Sequence, residues 1–216
     1  MQFTTVFFDL DDTLYPASSG LWEAIRQRIS IYMHEFLGIP WDEIPDLRRK
    51  YFEEYGTALR GLETHYPIHR DDYLAFVHDL PLTDYIHPDP ELISALKALP
   101  ARKLIFTNAD SAHARRVMNV LEVASFFDEI VDINDMEPFC KPMPESFQRA
   151  MIRAGESDPH RCVLIDDMLR NIAGARTFGM RTVLFGDERH PPGTDASLVN
   201  WFELAEILEH LEADPE

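Results

Sequence analysis

The sequence is poor in cysteine, has no long apolar run and carries no excess of basic residues. Its two cysteines, Cys140 and Cys162, are too few for a disulfide framework and are typical of reduced packing thiols. No apolar run approaches the roughly 18 residues that span a bilayer. The N-terminus has neither the basic region nor the apolar segment of a signal peptide. We therefore expect a cytoplasmic protein that makes no membrane contact.

Acidic residues dominate the charge. The 216 residues include 20 Lys and Arg against 38 Asp and Glu, which gives a formal net charge of −18. Such a surface repels nucleic acid, so no nucleic acid polymer is expected as a partner. Apolar residues make up 45% and charged residues 27%, which is typical of a globular protein with one core and room for a smaller domain. Nothing in the sequence indicates an oligomeric state.

Two kinds of periodicity divide the chain. Residues 15–88 show only helical patterns, such as the apolar residues at every fourth position from Leu21 to Leu37, and prolines mark the end of this part. Beyond it, short apolar strands alternate with helices, which predicts a parallel sheet covered on both faces. The segment from Asp187 to Ala196 is predicted to be a polar loop.

We therefore predict an α/β fold with a Rossmann-like parallel-sheet core. The core comprises residues 1–14 and 89–216, and an all-helical cap, residues 15–88, is inserted after the first strand. An insertion at the end of a central strand is where a lid over a site is expected.

The first predicted strand ends in carboxylates, because Val6-Phe7-Phe8 leads directly into Asp9-Leu10-Asp11-Asp12-Thr13. Unpaired carboxylates at a buried strand end are costly, so a bound cation or substrate is expected there. Ligands of open α/β sheets bind outside the carboxyl ends of the strands. The alternative is a simple turn, since Asp-rich pentapeptides are common in turns.

Further polar groups follow the later strands. They are Thr107-Asn108 after the strand ending at Phe106, Lys141 in a loop, and Asp166-Asp167 followed by Asn171 after the strand ending at Ile165. Each has an ordinary alternative: helix capping by Thr107 or Asn108, a solvated lysine, and helix capping by the aspartates. Gathered at one edge of a single sheet, they predict a site for phosphate oxygens and a cation.

The order Asp-x-Asp-x-Thr, Thr-Asn, Lys-Pro and Asp-Asp-x-x-x-Asn resembles the four motifs of the haloacid dehalogenase (HAD) superfamily over essentially the whole chain. The stretches Asp9–Pro16, Tyr55–Leu62 and Phe106–Ala109 resemble its pyrimidine 5′-nucleotidase branch, which carries a helical cap between the first two motifs. The resemblance implies a hydrolase of a small-molecule phosphomonoester, with a pyrimidine nucleoside 5′-monophosphate as the expected substrate.

The residues support a two-step hydrolysis. Asp9 is the natural nucleophile, because a carboxylate can form an aspartyl-phosphate. Asp11 can protonate the leaving oxygen and then deprotonate the attacking water. Hard oxygen ligands without a His/Cys cluster favour Mg²⁺. The resemblance implies that its ligands are Asp9, the Asp11 carbonyl and Asp167.

The remaining site residues have supporting roles. Thr107 and Asn108 would hold phosphate oxygens, and Lys141 would hold Asp9 and the phosphate by its charge. Asp166 stands where the family often has glycine, so a contact behind the metal ligands or through water is expected. Asn171 stands where many members have Asp, which favours hydrogen bonding over metal binding.

Weaker expectations concern three other groups. Thr57 and Arg60 in the cap are candidates for substrate contacts, although Arg60 could equally be solvated and Gly56 beside them could merely end a helix. Asp12 is expected to be a solvated turn residue. The nine histidines show no paired spacing that indicates a site.

Other activities also fit these residues. A phosphatase or mutase acting on a sugar phosphate or another small phosphomonoester matches the same motifs. A dehalogenase would need no acid at Asp11, because halide leaves unprotonated. A regulatory module that accepts a phosphoryl group on Asp9 would not need a helical cap of this size, and Asp11 would hasten loss of the phosphate.

Overall fold

The structure, a computed structural model, describes residues 3–186 and 191–213. Within these residues a parallel sheet has the strand order β3-β2-β1-β4-β5-β6. Its strands are β1 (Thr5–Phe8), β2 (Arg102–Phe106), β3 (Glu129–Val131), β4 (Cys162–Asp166), β5 (Arg181–Phe185) and β6 (Ala196–Leu198). The predicted α/β fold with a parallel sheet is confirmed.

Helices alternate with these strands, as parallel connections require. They are α5 (Pro90–Ala98), α6 (Ser111–Val120), α7 (Pro144–Ala154), α8 (Leu169–Phe178) and α9 (Leu204–Ala213). Asp110 caps α6, because its side chain accepts a hydrogen bond from His113 N at 2.9 Å. The alternative that Thr107 or Asn108 caps this helix is therefore wrong.

The strand β1 lies at the centre of the sheet, between β2 and β4, and all four of its residues are buried. From β1 the chain first builds β2 and β3 on one side and then returns to build β4, β5 and β6 on the other. Such a reversal of strand order opens a crevice at the carboxyl ends of the strands. The residues that follow β1, β2 and β4 therefore meet at one edge of the sheet.

The chain forms two compact units, Met1–Ala17 with Ile86–Glu216, and Ser18–Tyr85. The sequence-based prediction placed the boundaries between core and cap after residues 14 and 88. The second unit, called the helical unit below, contains α1 (Leu21–Glu35), α2 (Ile44–Tyr55), α3 (Ala58–His65) and α4 (Arg70–Val77). Every helix in the described part of the chain is too short or too polar to cross a bilayer.

The predicted loop from Asp187 to Ala196 is partly wrong. Residues 187–190 lie outside the described residues, but Ala196 begins β6, which pairs with β5. A three-residue edge strand with one buried side chain has too little alternation to be recognised from sequence, and its pairing depends on the exposed edge of β5.

Inside the helical unit, α2 and α3 pack closely at a glycine. A Cβ atom added at Gly61 would overlap the Cγ and Cβ atoms of Tyr51. The Tyr51 ring also stacks on His65, with 5.3 Å between ring centroids, and His65 Nε2 lies 2.8 Å from Tyr55 Oη. The absence of a side chain at Gly61 therefore allows the Tyr51 ring to lie against the α3 backbone.

We predict that Gly61→Ala destabilises the protein by about 1–3 kcal/mol, because the added methyl group forces the Tyr51 ring out of its packed position. Urea unfolding followed by far-UV circular dichroism measures the change. Thr64→Ala on the exposed side of α3 is the matched control and should cost less than about 0.5 kcal/mol. Equal stabilities of Gly61→Ala and the unmodified chain would contradict the packing argument.

Candidate active site

The end of β1 fixes the first carboxylate of the site. Asp9 N donates to Ile165 O at 2.9 Å, which continues the ladder between β1 and β4. A turn follows, in which Leu14 N donates to Leu10 O at 3.0 Å. Asp12 has a φ of 57°, in the left-handed region that Asp tolerates better than most residues. The chain therefore reverses immediately after the strand and keeps its aspartates at the strand end.

Lys141 lies between two of the predicted carboxylates. Its Nζ is 2.8 Å from Asp9 Oδ1 and 2.7 Å from Asp166 Oδ2, and the side chain is 1% exposed. Burial alone would lower the pKa of Lys141, but the charges of Asp166 and Asp9 raise it above its ordinary value. The lysine therefore remains an ammonium ion, and the solvated alternative for Lys141 is wrong.

Asp166 is fully buried and accepts hydrogen bonds on both oxygens. In addition to Lys141 Nζ, two groups donate to this carboxylate. Asn171 Nδ2 lies 2.9 Å from Oδ1 and 3.0 Å from Oδ2, and Met168 N lies 2.9 Å from Oδ1. A carboxylate engaged in this way is better suited to anchor Lys141 than to bind a metal ion directly. The side chain of Asn171 therefore contacts Asp166 by donating hydrogen bonds from its amide.

Asp9, Asp166 and Asp167 form a cluster that could hold a metal ion, because one oxygen from each lies within 4.8 Å of the others. When all three are ionised, the cluster together with Lys141 carries two excess negative charges. A divalent cation would neutralise this excess, and its preferred ligands are the carboxylate oxygens found here. The cluster therefore fits the predicted metal in both charge and donor chemistry.

Burial and mutual repulsion raise the pKa values of two of these carboxyl groups. Burial raises the pKa of Asp9 well above its ordinary value, Lys141 opposes this, and Asp166 and Asp167 add to it. Burial and the charge of Asp166 raise the pKa of Asp167 to about 7, and Asp12 contributes in the same direction. Asp12 lies in a turn, as expected, but it is half-buried and not fully solvated. The protein alone leaves the negative charge of the cluster uncompensated.

Thr107 and Asn108 follow β2 at the same edge of the sheet. Thr107 is buried, and its Oγ1 accepts a hydrogen bond from Ala109 N at 3.0 Å. The Asn108 amide forms two hydrogen bonds with the Lys141 backbone. Its Nδ2 donates to Lys141 O at 3.1 Å, and its Oδ1 accepts from Lys141 N at 2.9 Å. Asn108 thus holds the loop that carries Lys141, while phosphate binding by Asn108 stays a prediction.

Asp11 has two buried neighbours that the sequence did not indicate. Its Oδ1 accepts from Tyr15 Oη at 2.6 Å and lies 3.0 Å from His113 Nε2. Burial and the charge of Asp11 raise the pKa of Tyr15 well above its ordinary value, so the phenol stays a donor. One signal could have found His113: the helix after β2 must begin at the site edge of the sheet, which brings its first-turn residues to the site.

The two cap candidates lie in the helical unit, at the start of α3. Thr57 Oγ1 accepts from Arg60 N at 3.2 Å, so Thr57 is the N-cap of this helix. Gly56 ends α2. A substrate contact by Thr57 would have to coexist with this capping role, and substrate contacts by Thr57 and Arg60 stay predictions.

We predict that Asp167→Asn stabilises the metal-free protein at pH 8, and does so less at pH 5. The pKa of Asp167 rises on folding from an ordinary value of 3.8 to about 7. Between these values the folded state binds more protons than the unfolded state, so stability falls as the pH rises, and above pH 7 the full cost is present. Removing the charge should therefore add roughly 1–3 kcal/mol at pH 8, less than full linkage because the side chain is partly exposed.

Urea unfolding in EDTA at both pH values measures this gain in the free energy of unfolding. Asp42→Asn, at an exposed position, is the matched control and should change little at either pH. A gain at Asp167 that is absent, or equal at pH 5 and pH 8, would contradict the raised pKa.

Comparisons with known proteins agree with this geometry. A family model for haloacid dehalogenase-like hydrolases matches residues 3–179. The chain is 34% identical over 194 residues to phosphate metabolism protein 8 of Saccharomyces cerevisiae, which covers 82% of this chain and 60% of that protein. It is 27% identical over 200 residues to glyceraldehyde 3-phosphate phosphatase of Pyrococcus abyssi, which covers 83% of this chain and 80% of that protein.

A crystal structure of YfnB from Bacillus subtilis bound to magnesium has the same fold, with a TM-score of 0.65, 21% identity and coverage of 96% of this chain and 99% of that one. The chain spans 60% of the length of the yeast relative. None of these three relatives is named a pyrimidine 5′-nucleotidase. Since the family model spans every core residue of the site, from Asp9 to Asn171, the chain belongs to the haloacid dehalogenase-like hydrolase family.

Proposed function

We propose that this chain is a Mg²⁺-dependent phosphomonoesterase that acts on a small phosphomonoester through an aspartyl-phosphate at Asp9. The observation that carries the proposal is the cluster of buried Asp9 and Asp166 with half-buried Asp167, in which Lys141 contacts Asp9 and Asp166. It combines a carboxylate nucleophile, a fixed ammonium ion and excess negative charge that a divalent cation would balance. These are the parts that phosphoryl transfer requires.

The proposed first step is attack of an Asp9 carboxylate oxygen on phosphorus. The bond from phosphorus to the leaving oxygen breaks, and Asp11 gives that oxygen a proton. Lys141 holds Asp9 Oδ1 and so fixes the orientation of the nucleophile. Its charge also offsets the negative charge that the phosphate brings into the site.

The second step is hydrolysis of the aspartyl-phosphate. Asp11, now ionised, takes a proton from a water molecule that attacks phosphorus, and Asp9 and inorganic phosphate are released. The same carboxyl group thus serves as acid and then as base, which restores the site for the next cycle. The Thr107 hydroxyl is proposed to bind a phosphate oxygen at the end of β2.

Mg²⁺ is the proposed metal, and Asp9 and Asp167 are its proposed side-chain ligands, with the Asp11 carbonyl as a third. When bound, the ion supplies positive charge to the phosphate oxygens. Asp166 is proposed to support the metal site without binding the ion directly, because Lys141, Asn171 and a backbone N–H group already donate to its oxygens.

The relatives favour a sugar phosphate or another small phosphomonoester as the substrate. Glyceraldehyde 3-phosphate phosphatase of Pyrococcus abyssi aligns along 80% of its own length, so the likeness includes the region of the helical unit and the core. The second candidate is a pyrimidine nucleoside 5′-monophosphate, which the resemblance of the stretch Tyr55–Leu62 to the nucleotidase branch supports. In both cases the proposed roles of the core residues concern phosphate and metal only, so we propose that the helical unit selects the organic group.

We predict that Asp9→Asn abolishes turnover of p-nitrophenyl phosphate, because an amide cannot form the acyl-phosphate. EDTA should abolish the activity reversibly, and added Mg²⁺ should restore it. Asp84→Asn, an exposed change of the same kind, is the control and should retain full activity. Circular dichroism checks that each variant is folded, and full activity of folded Asp9→Asn would sink the assignment of the nucleophile.

We predict that glyceraldehyde 3-phosphate or another sugar phosphate has a higher kcat/KM than UMP or CMP. Released phosphate, measured over a panel that also contains AMP and GMP, gives the comparison. Arg60→Ala should lower kcat/KM for the best substrate and spare acetyl phosphate, which offers the helical unit little to contact. If UMP or CMP outranks both the purine nucleotides and the sugar phosphates, the nucleotidase candidate replaces the sugar phosphate while the phosphatase proposal stands.

A further inference from the structure

The carboxylate of Asp11 is held by two side chains that come from different parts of the sequence. Tyr15 Oη lies 2.6 Å and His113 Nε2 lies 3.0 Å from the same oxygen, Oδ1. Tyr15 is 2% exposed and His113 is 1% exposed. Because a carboxylate oxygen is an acceptor, Tyr15 Oη donates to it, and His113 donates to it when Nε2 carries a hydrogen.

Both donors are themselves fixed by the backbone. The bond from Leu14 N to Leu10 O closes the turn after β1 and brings Tyr15 back beside Asp11, four positions earlier in the chain. His113 lies in the first turn of α6, where its N–H group donates to Asp110 Oδ1. The two hydrogen bonds therefore reach Asp11 from two separately anchored elements, the turn after β1 and the start of α6.

We propose that Tyr15 and His113 are positioning residues that hold the Asp11 carboxyl group in the orientation for proton exchange. This inference rests on the proposed function, in which Asp11 is the acid and then the base. A short carboxylate side chain with one partner can still rotate about its bonds. Two donors on one oxygen, each held by a separately anchored element, restrict both the side-chain rotamer and the plane of the carboxyl group.

The arrangement also assigns the two oxygens different tasks. An oxygen that accepts two hydrogen bonds is a poor place for a proton, so Oδ2 carries the proton that Asp11 exchanges with the leaving oxygen and the water. Proton transfer requires hydrogen-bond contact, and a shift of about 1 Å in a catalytic group can cost about 10²-fold in rate. Loss of either donor should therefore slow the steps that need Asp11 and leave the other steps largely intact.

A merely structural role for the pair predicts a different result. If Asp11 only satisfies two buried polar side chains, removal of a donor changes stability but affects all substrates alike. The dependence on the leaving group separates the two cases. Phenolates leave with little help from an acid, whereas alkoxides need a proton, so a misplaced Asp11 penalises alkyl phosphates more than aryl phosphates.

The kinetic experiment compares Tyr15→Phe, His113→Ala and His113→Gln with the unmodified chain. Single-turnover phosphorylation is measured with p-nitrophenyl phosphate and with an alkyl phosphate in saturating Mg²⁺. Tyr15→Phe and His113→Ala should slow the alkyl phosphate about 10- to 100-fold and the aryl phosphate less than about threefold. His113→Gln keeps a donor near the Nε2 position and should recover most of the loss.

Tyr73→Phe, which removes the hydroxyl of another buried tyrosine in the helical unit, is the matched control and should affect both substrates equally and slightly. Equal losses for alkyl and aryl phosphates in Tyr15→Phe and His113→Ala would overturn the proposal. So would a failure of His113→Gln to recover activity while it remains folded.

A structural experiment tests the same proposal without turnover. Crystals of the unmodified chain should show one Asp11 rotamer, and the double variant Tyr15→Phe/His113→Ala should show more than one. A single, unchanged rotamer in the double variant overturns the positioning role. If the unmodified chain hydrolyses no substrate in the panel, the proposed function falls, and the rotamers of Asp11 alone then decide whether the two donors orient it.

Discussion

The buried ammonium ion of Lys141 joins the separate parts of the site. It contacts Asp9 at the end of β1 and Asp166 at the end of β4, and it comes from the loop that leads into α7. Asn108, after β2, holds the backbone of the same residue. The two carboxylates and the ammonium ion compensate charges that would be costly to bury alone, and the neutral Asn108 amide holds the loop that carries Lys141, so the four chain segments stabilise one another.

This arrangement links stability to chemistry. The charges that keep the strand ends together are also those of the proposed nucleophile and its neighbours, and burial together with the charge of Asp166 raises the pKa of Asp167 to about 7. Without a bound metal ion, repulsion among these carboxylates therefore lowers the stability of the folded protein. A divalent cation bound there would relieve that cost, so its affinity would depend on the repulsion among the carboxylates.

Much of this architecture could be predicted from sequence, because its signals are local. A short apolar run followed by carboxylates indicates a strand end, and this placed Asp9, Thr107 and Asp166 at one edge of a parallel sheet. The pairs that escaped prediction join distant positions: Asp11 with His113, and Asn108 with Lys141. Each of these contacts depends on the rotation of a helix or the path of a loop, which periodicity does not determine. The short strand β6 was also missed, because it forms only by pairing with the edge of β5.

The central place of β1 has a consequence for how the chain is made. Thr5 pairs with Cys162, and Asp9 N donates to Ile165 O, so β1 is synthesised more than 150 residues before the strand that pairs with one of its edges. Until β4 leaves the ribosome, the apolar stretch Thr5–Phe8 has one unpaired edge that can bond to other chains. Pairings so far apart in sequence also slow folding. The centre of the finished sheet is thus the part of the nascent chain that is completed late and is most exposed to aggregation.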